Sequence, residues 1–217
     1  MKTDAELRSN VEKELEWDPR IDARDIGVAV KGGVVTLSGE VRSYVERWAA
    51  QDAAEVVGGV KAIANEIEVA LAGSSHRSDT ELAAAALTAL NSHVAIPMAD
   101  IKLAVNNGWI TLTGQVPFWY QKQDAENTLR NLWGVTGISN DIEIKTTVSA
   151  ADAKTRIEDA FRRHAKIEAD KIRVHVVGGT VTLEGEVGTW QERGDAEFAV
   201  WAAPGVTNVK DNLTVRA

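Results

Sequence analysis

Cysteine is absent from this chain of 217 residues. Disulfides, zinc–thiolate centres, iron–sulfur clusters and a cysteine nucleophile are therefore excluded. Histidine occurs only four times, widely scattered. His164 and His175 have no ligand set around them in sequence, so neither a metal nor a cofactor is expected. Basic residues are outnumbered, with 24 Lys and Arg against 32 Asp and Glu and a net charge of −8. Binding to phosphate backbones needs clustered Lys and Arg, so nucleic acid is not an expected partner. No apolar run approaches the roughly 18 residues of a membrane-spanning helix. A secretory leader begins with basic residues and continues into a short apolar run. Here Met1-Lys2-Thr3-Asp4-Ala5-Glu6-Leu7 passes directly into an amphipathic, acidic helix. The expectation is a cytoplasmic protein, or a periplasmic one if this is a processed form.

What is present is a globular balance, 44% apolar and 26% charged, and a threefold internal repeat. Gly33-Val34-Val35-Thr36-Leu37-Ser38-Gly39-Glu40-Val41 is echoed by Gly108-Trp109-Ile110-Thr111-Leu112-Thr113-Gly114-Gln115-Val116. It is echoed again by Gly179-Thr180-Val181-Thr182-Leu183-Glu184-Gly185-Glu186-Val187. Anchored on Gly39, Gly114 and Gly185, the copies are 75 and 71 residues apart and stay in register without a gap. Ile26, Ile101 and Ile172 coincide upstream; Gly59, Gly134 and Gly205, each followed by Val, coincide downstream. A fixed period of this length marks copies of one folding unit. Three tandem domains are expected, at 1–72, 73–147 and 148–217.

Each copy reads as α–β–β–α–β. The first helix opens on Thr3-x-x-Glu6, Ser78-x-x-Glu81 and Ser149-x-x-Asp152, the capping-box pattern with Asp as a shorter variant. Apolar residues follow at four-residue steps: Leu7, Val11, Leu15; Leu82, Ala86, Leu90; Ile157, Phe161. An alternating strand leads to Gly32-Gly33, Asn107-Gly108 or Gly178-Gly179. These pairs read as two-residue hairpin turns, with positive φ expected at Gly33, Gly108 and Gly179. A second strand places Val35, Leu37, Gly39 and Val41 on one side. Gly39, Gly114 and Gly185 face the helices, and close helix–sheet approach is the expected reason for them. The second helix is expected over 44–57, 119–132 and 190–203, ending at the recurrent glycine as a left-handed cap. The last strand is expected over 60–69, 135–144 and 206–215. The hairpin makes the first two strands antiparallel, and the crossover helix makes the last two parallel. The fold class is α+β: three domains, each a mixed three-stranded sheet with two helices on one face. Whether the third strand lies beside the first or the second is open at this stage. The helix-free faces carry Thr36, Thr111 and Thr182, with Val34 and Trp109, and are candidates for packing between copies.

The glycine turn, the Val-x-Leu-x-Gly-x-Val strand, the helix, the Gly-Val step and the final apolar strand resemble the BON domain (bacterial OsmY and nodulation domain). Three copies cover nearly the whole chain. The resemblance implies an αββαβ fold and a bacterial, non-enzymatic module associated with osmotic or envelope stress and with phospholipid attachment. The matching glycines are structural, and no binding residue carries over by motif.

Reactive constellations are sparse. Ser92-His93 are neighbours that do not face each other. Glu184 and Glu186 share a strand face but have no matching pair in the other copies. Gly134-Val135-Thr136-Gly137 has the spacing of an RNA-binding clamp but joins helix to strand in an acidic chain. No catalytic residue is expected. The candidate contact is Phe118-Trp119-Tyr120, where Trp119 matches Tyr44 and Trp190 and reads as structural. Phe118 and Tyr120 have no repeated counterpart and are the candidates for exposure against membrane or partner; packing against another domain is the favoured alternative. Arg162, Arg163 and Lys166, with His164, form the one basic cluster, read as a solvated helix end where positive charge suits the dipole; an anionic-phospholipid contact is the alternative. Trp17, Trp48, Trp133 and Trp201 occur at non-equivalent positions, as rings serving contacts between copies would. The expectation is a non-enzymatic triple-repeat scaffold, linked to stress, that binds a protein partner or itself; a peripheral phospholipid-binding protein of the osmotic-stress type is the first alternative, and an enzyme with a site at a domain junction the second.

Overall fold

The computed structural model describes residues 3–71, 77–145, 148–164 and 167–215. The first copy contains α1 (Asp4–Trp17), β1 (Ile26–Lys31), β2 (Val34–Val41), α2 (Tyr44–Glu55) and β3 (Ala62–Val69). The second contains α3 (Asp79–Ser92), β4 (Ile101–Asn106), β5 (Trp109–Val116), α4 (Trp119–Arg130) and β6 (Gly137–Ile144). The third contains α5 (Ala150–Arg163), β7 (Ile172–Val177), β8 (Thr180–Val187), α6 (Trp190–Trp201) and β9 (Asn208–Val215). Three separate three-stranded sheets result, ordered β1-β2-β3, β4-β5-β6 and β7-β8-β9. The third strand therefore lies beside the second. In the first and last sheets the hairpin pair is antiparallel and the crossover pair parallel. Leu7, Val11 and Leu15 of α1 and Ala50, Ala53 and Ala54 of α2 close over Val35, Leu37 and Val41. Ile157, Phe161, Ala196 and Val200 do the same over Val181, Leu183 and Val187. The expected boundaries at 72–73 and at 147 fall outside the described residues. The chain divides into two compact units: Met1–Ala89, Leu103–Thr111 and Thr128–Ser139 form one, and Leu90–Lys102, Leu112–Asn127 and Asn140–Ala217 the other.

The helix caps form as their sequences predict, with one difference. Thr3 and Ser78 each accept from, and are answered by, the glutamate three residues on. The shorter Asp152 accepts instead from the Ser149 hydroxyl, at 2.8 Å. The next residue has a role that the repeat did not advertise. Asp4 accepts from the N–H groups of Gly32 and Gly33 at 2.8 and 3.2 Å. Asp79 does the same for Asn107 and Gly108 at 2.8 and 2.9 Å. The third copy has Ala150 here, which offers no acceptor, and its hairpin turn differs. Gly33 and Gly108 have positive φ, but Gly179 does not; Gly178 carries it instead, at 58°. Positive φ at the first central residue alone is the type II′ arrangement, which spans the same two-residue gap.

The glycines of the second strand need a corrected explanation. Gly39, Gly114 and Gly185 have φ of 120°, 133° and 139°, a region open only to glycine. A Cβ on each would fall onto the carbonyl oxygen of Asp25, Asp100 or Lys171. The close neighbour is thus backbone, the last residue of the 3-10 turn that feeds the first strand, and not a helix. The recurrent glycines after the second helix also play another part. Each helix ends four residues before its glycine. Gly59 and Gly134 instead sit in turns closed by Val60 N–H to Val57 C=O and by Val135 N–H to Leu132 C=O. Positive φ at the third residue is what such a turn asks for. These turns delay the third strand by two residues from its expected start.

One clamp, partly buried in the first copy and buried in the other two, recurs with an informative exception. Glu46 accepts from the N–H groups of Asp22 and Arg42; Glu192 accepts from those of Glu168 and Gly188. In the middle copy the residue matching Asp22 and Glu168 is Pro97, which has no N–H. The clamp is there Gln121, which accepts from the Phe118 N–H and donates to the Ala95 carbonyl at 3.0 Å. Gln121→Glu is expected to destabilise the protein by about 2 kcal/mol, because a buried carboxylate would face a carbonyl. The cost should shrink as pH falls and that carboxylate takes up a proton, which lets it donate to the carbonyl, and Pro97→Asp should relieve it at neutral pH. Urea unfolding at two pH values checks this; a single variant as stable as the parent would refute it.

Candidate functional site

Strand β5 ends at Val116 and α4 begins at Trp119. Successive helical residues point about 100° apart, so three consecutive aromatics here cannot share one core. The Phe118 and Tyr120 rings lie against each other, with centroids 5.5 Å apart at 30°. Trp119 turns away and stacks on Trp201 of α6, 4.8 Å apart at 28°. The Gly205 N–H donates to the Pro117 carbonyl at 3.1 Å beside this stack. On α6, Gly194, Glu197, Phe198 and Trp201 follow at steps of three and four, which places them on one face. Ala196 and Val200 are buried in the core on the other side. Between the two helices runs a groove of about 370 Å³ lined by Trp119, Tyr120, Gly194, Phe198, Trp201 and Ala202 together with Glu197. Phe198 is 76% exposed and Tyr120 42%. The Trp201 indole N–H points to the Glu197 carboxylate at 3.5 Å. A Cβ on Gly194 would meet nothing within 4 Å, so that wall of the groove is open.

The other compact unit contains a related contact with different chemistry. Trp201 matches Arg130 in the repeat register, and the Arg130 guanidinium lies 3.8 Å from the centre of the Trp48 ring of α2. Arg20 approaches the same ring at 5.6 Å. Arg47 lies over Trp109 at 5.8 Å, and the Trp109 indole donates to the Ser139 hydroxyl. This contact falls on the helix-free face expected to meet a neighbouring copy. Of the four non-repeating tryptophans, Trp48 and Trp201 thus join copies, whereas Trp17 and Trp133 stand largely exposed.

The remaining sequence candidates are not brought together. Arg162 is paired with Asp159 at 2.9 Å on its own helix, Arg163 is exposed in the last turn of α5, and Lys166 lies outside the described residues. Phe118, a candidate for exposure, is half-buried. Sequence reasoning missed Phe198, Glu197 and Gly194. Phe198 had a readable signal: it stands where the other copies have Asp52 and Asn127, so the fold does not require a ring there. Among the described residues no helix is long and apolar enough to cross a membrane, and no three His, Asp or Glu side chains are grouped to hold a metal ion.

The BON domain matches residues 3–70, 78–146 and 149–217. The chain belongs to the BON domain family. Among curated relatives, this BON chain is 28% identical to osmotically-inducible protein Y of Escherichia coli K12 over 146 residues, 65% of this chain and 73% of that protein. Two solved structures of CdsD, a structural protein of the type III secretion system of Chlamydia trachomatis, also align. One is 12% identical and covers 96% of this chain and 91% of its own; the other is 11% identical and covers both chains fully. Both have a TM-score of 0.29, at which the likeness supports no further inference.

Proposed function

We propose that this BON chain acts by binding and not by catalysis, that it serves under osmotic stress, and that its binding surface is the aromatic groove of α4 and α6. The stress assignment extends the name of the E. coli relative. The binding assignment rests on one observation: Tyr120 and Phe198 present rings to water beside a stacked tryptophan pair, at positions where the repeat has no need of them. Contiguous exposed apolar surface of this kind marks an interaction site. A protein partner or a second copy of the chain is the first reading. A phospholipid surface is the second, favoured by the affinity of aromatic rings for the bilayer interface and opposed by the net charge of −8. The basic cluster has a smaller claim, since Arg162 is already paired.

The double variant Tyr120→Ser/Phe198→Ser tests the assignment. Both side chains are exposed, so the melting temperature should stay within about 3 °C of the parent. Sedimentation equilibrium and co-sedimentation with zwitterionic and anionic vesicles should show an association in the parent that the variant loses. An association that survives the double change, or a parent that neither self-associates nor sediments with any vesicle, would refute the groove as the binding surface.

A further inference from the structure

The groove of α4 and α6 combines two features that together specify a ligand. Its walls are aromatic: Trp119, Tyr120, Phe198 and Trp201. Among the described residues its one charged lining residue is a carboxylate, Glu197, held at the edge of the Trp201 ring, and no Lys or Arg lines it. Aromatic faces carry a negative quadrupole and attract cations, most strongly those with a thin hydration shell. A carboxylate beside them adds to the attraction. A hydrated ammonium or metal ion would have to give up water against apolar walls, which disfavours it. A quaternary ammonium has no N–H to hydrate and an apolar methyl surface, so it meets both demands.

The other compact unit shows the same preference satisfied from within. There the position matching Trp201 is Arg130, whose guanidinium covers the Trp48 ring at 3.8 Å. One aromatic contact is supplied with a cation by the chain itself. In the groove of α4 and α6 that position has become a further ring. We infer that this groove takes a quaternary ammonium group from outside, either a free organic cation of the choline type or the headgroup of a choline phospholipid. The inference rests on the groove being the binding surface, as proposed above.

The experiment is an NMR titration of the full chain, following the indole N–H signals of Trp119 and Trp201. Choline chloride is compared at constant ionic strength with 3,3-dimethylbutan-1-ol, its uncharged carbon analogue. Choline is expected to shift these signals and to bind about tenfold more tightly than the alcohol, the margin of a desolvated cation–aromatic contact. Phe198→Ala and Glu197→Gln should each weaken choline by about threefold to tenfold while leaving the fold intact by circular dichroism. Phosphatidylcholine and phosphatidylglycerol vesicles separate the sources. Choline binding with selective phosphatidylcholine binding supports a headgroup, and choline binding without it supports a free cation. No response to choline, equal affinity for the alcohol, or folded Glu197 and Phe198 variants that bind as well as the parent would overturn the inference. If choline fails while the Tyr120/Phe198 double variant still loses its association, the groove stands as a binding surface and only the cation is refuted.

Discussion

Gly39→Ala is expected to lower stability by about 4 kcal/mol or more, the scale of the most damaging single substitutions. Two costs combine. The φ of 120° is one that alanine avoids, and the added methyl would collide with the Asp25 carbonyl. That oxygen is backbone, fixed by the 3-10 turn before it and by the pairing of Ile26 with Gly39 after it, so it cannot swing away as a side chain would. Gly32→Ala is the control. It too has positive φ, 61°, but a Cβ there meets nothing within 4 Å, so about 1 kcal/mol of strain is expected. Chemical denaturation of the two variants separates the contributions. Equal losses would mean that the collision is relieved by movement of the turn.

Trp201→Ala should cost about 2–3 kcal/mol. The ring is partly buried against the third core, so the loss should fall below the 3–5 kcal/mol of a fully buried aromatic. The stack on Trp119 adds the contribution of a paired ring system. The variant should also lose the circular-dichroism couplet of two coupled indoles, and any association through the groove should go with it. Trp17→Ala is the comparison: that ring is 82% exposed and its loss should pass almost unnoticed in stability. A Trp201 variant no less stable than the Trp17 variant would remove the stack from the account.

The fold was legible because the same physical demands recur three times. Leu7, Val11 and Leu15 announce a buried helical face, and Gly32-Gly33 announces a turn, without reference to anything distant. What stayed hidden was what depends on partners far apart in sequence. Gly39 is recognisable from sequence as constrained, but strand periodicity points to a helix as its neighbour and says nothing of the turn packed against that face. Gln121 reads as an ordinary polar residue until Pro97 is set beside it in space. The groove was half visible. Three adjacent aromatics mark Tyr120, but Glu197 and Phe198 lie 77 and 78 residues on, and only the approach of α6 brings them to it. Trp119 was assigned to the fold by its register with Tyr44 and Trp190. Its stack on Trp201 shows that a repeated position can also serve a contact between copies.

The alanine at position 150 has a kinetic consequence. In the first two copies a helix-borne carboxylate holds two hairpin amides, at 2.8–3.2 Å. Hydroxide, the catalyst of amide exchange with solvent, is repelled by that charge and must wait for the hydrogen bonds to open. Among the described residues no side-chain carboxylate holds the amides of Gly178 and Gly179. Three hairpins of one origin should therefore lose their protons to water on different clocks, with the third running fastest.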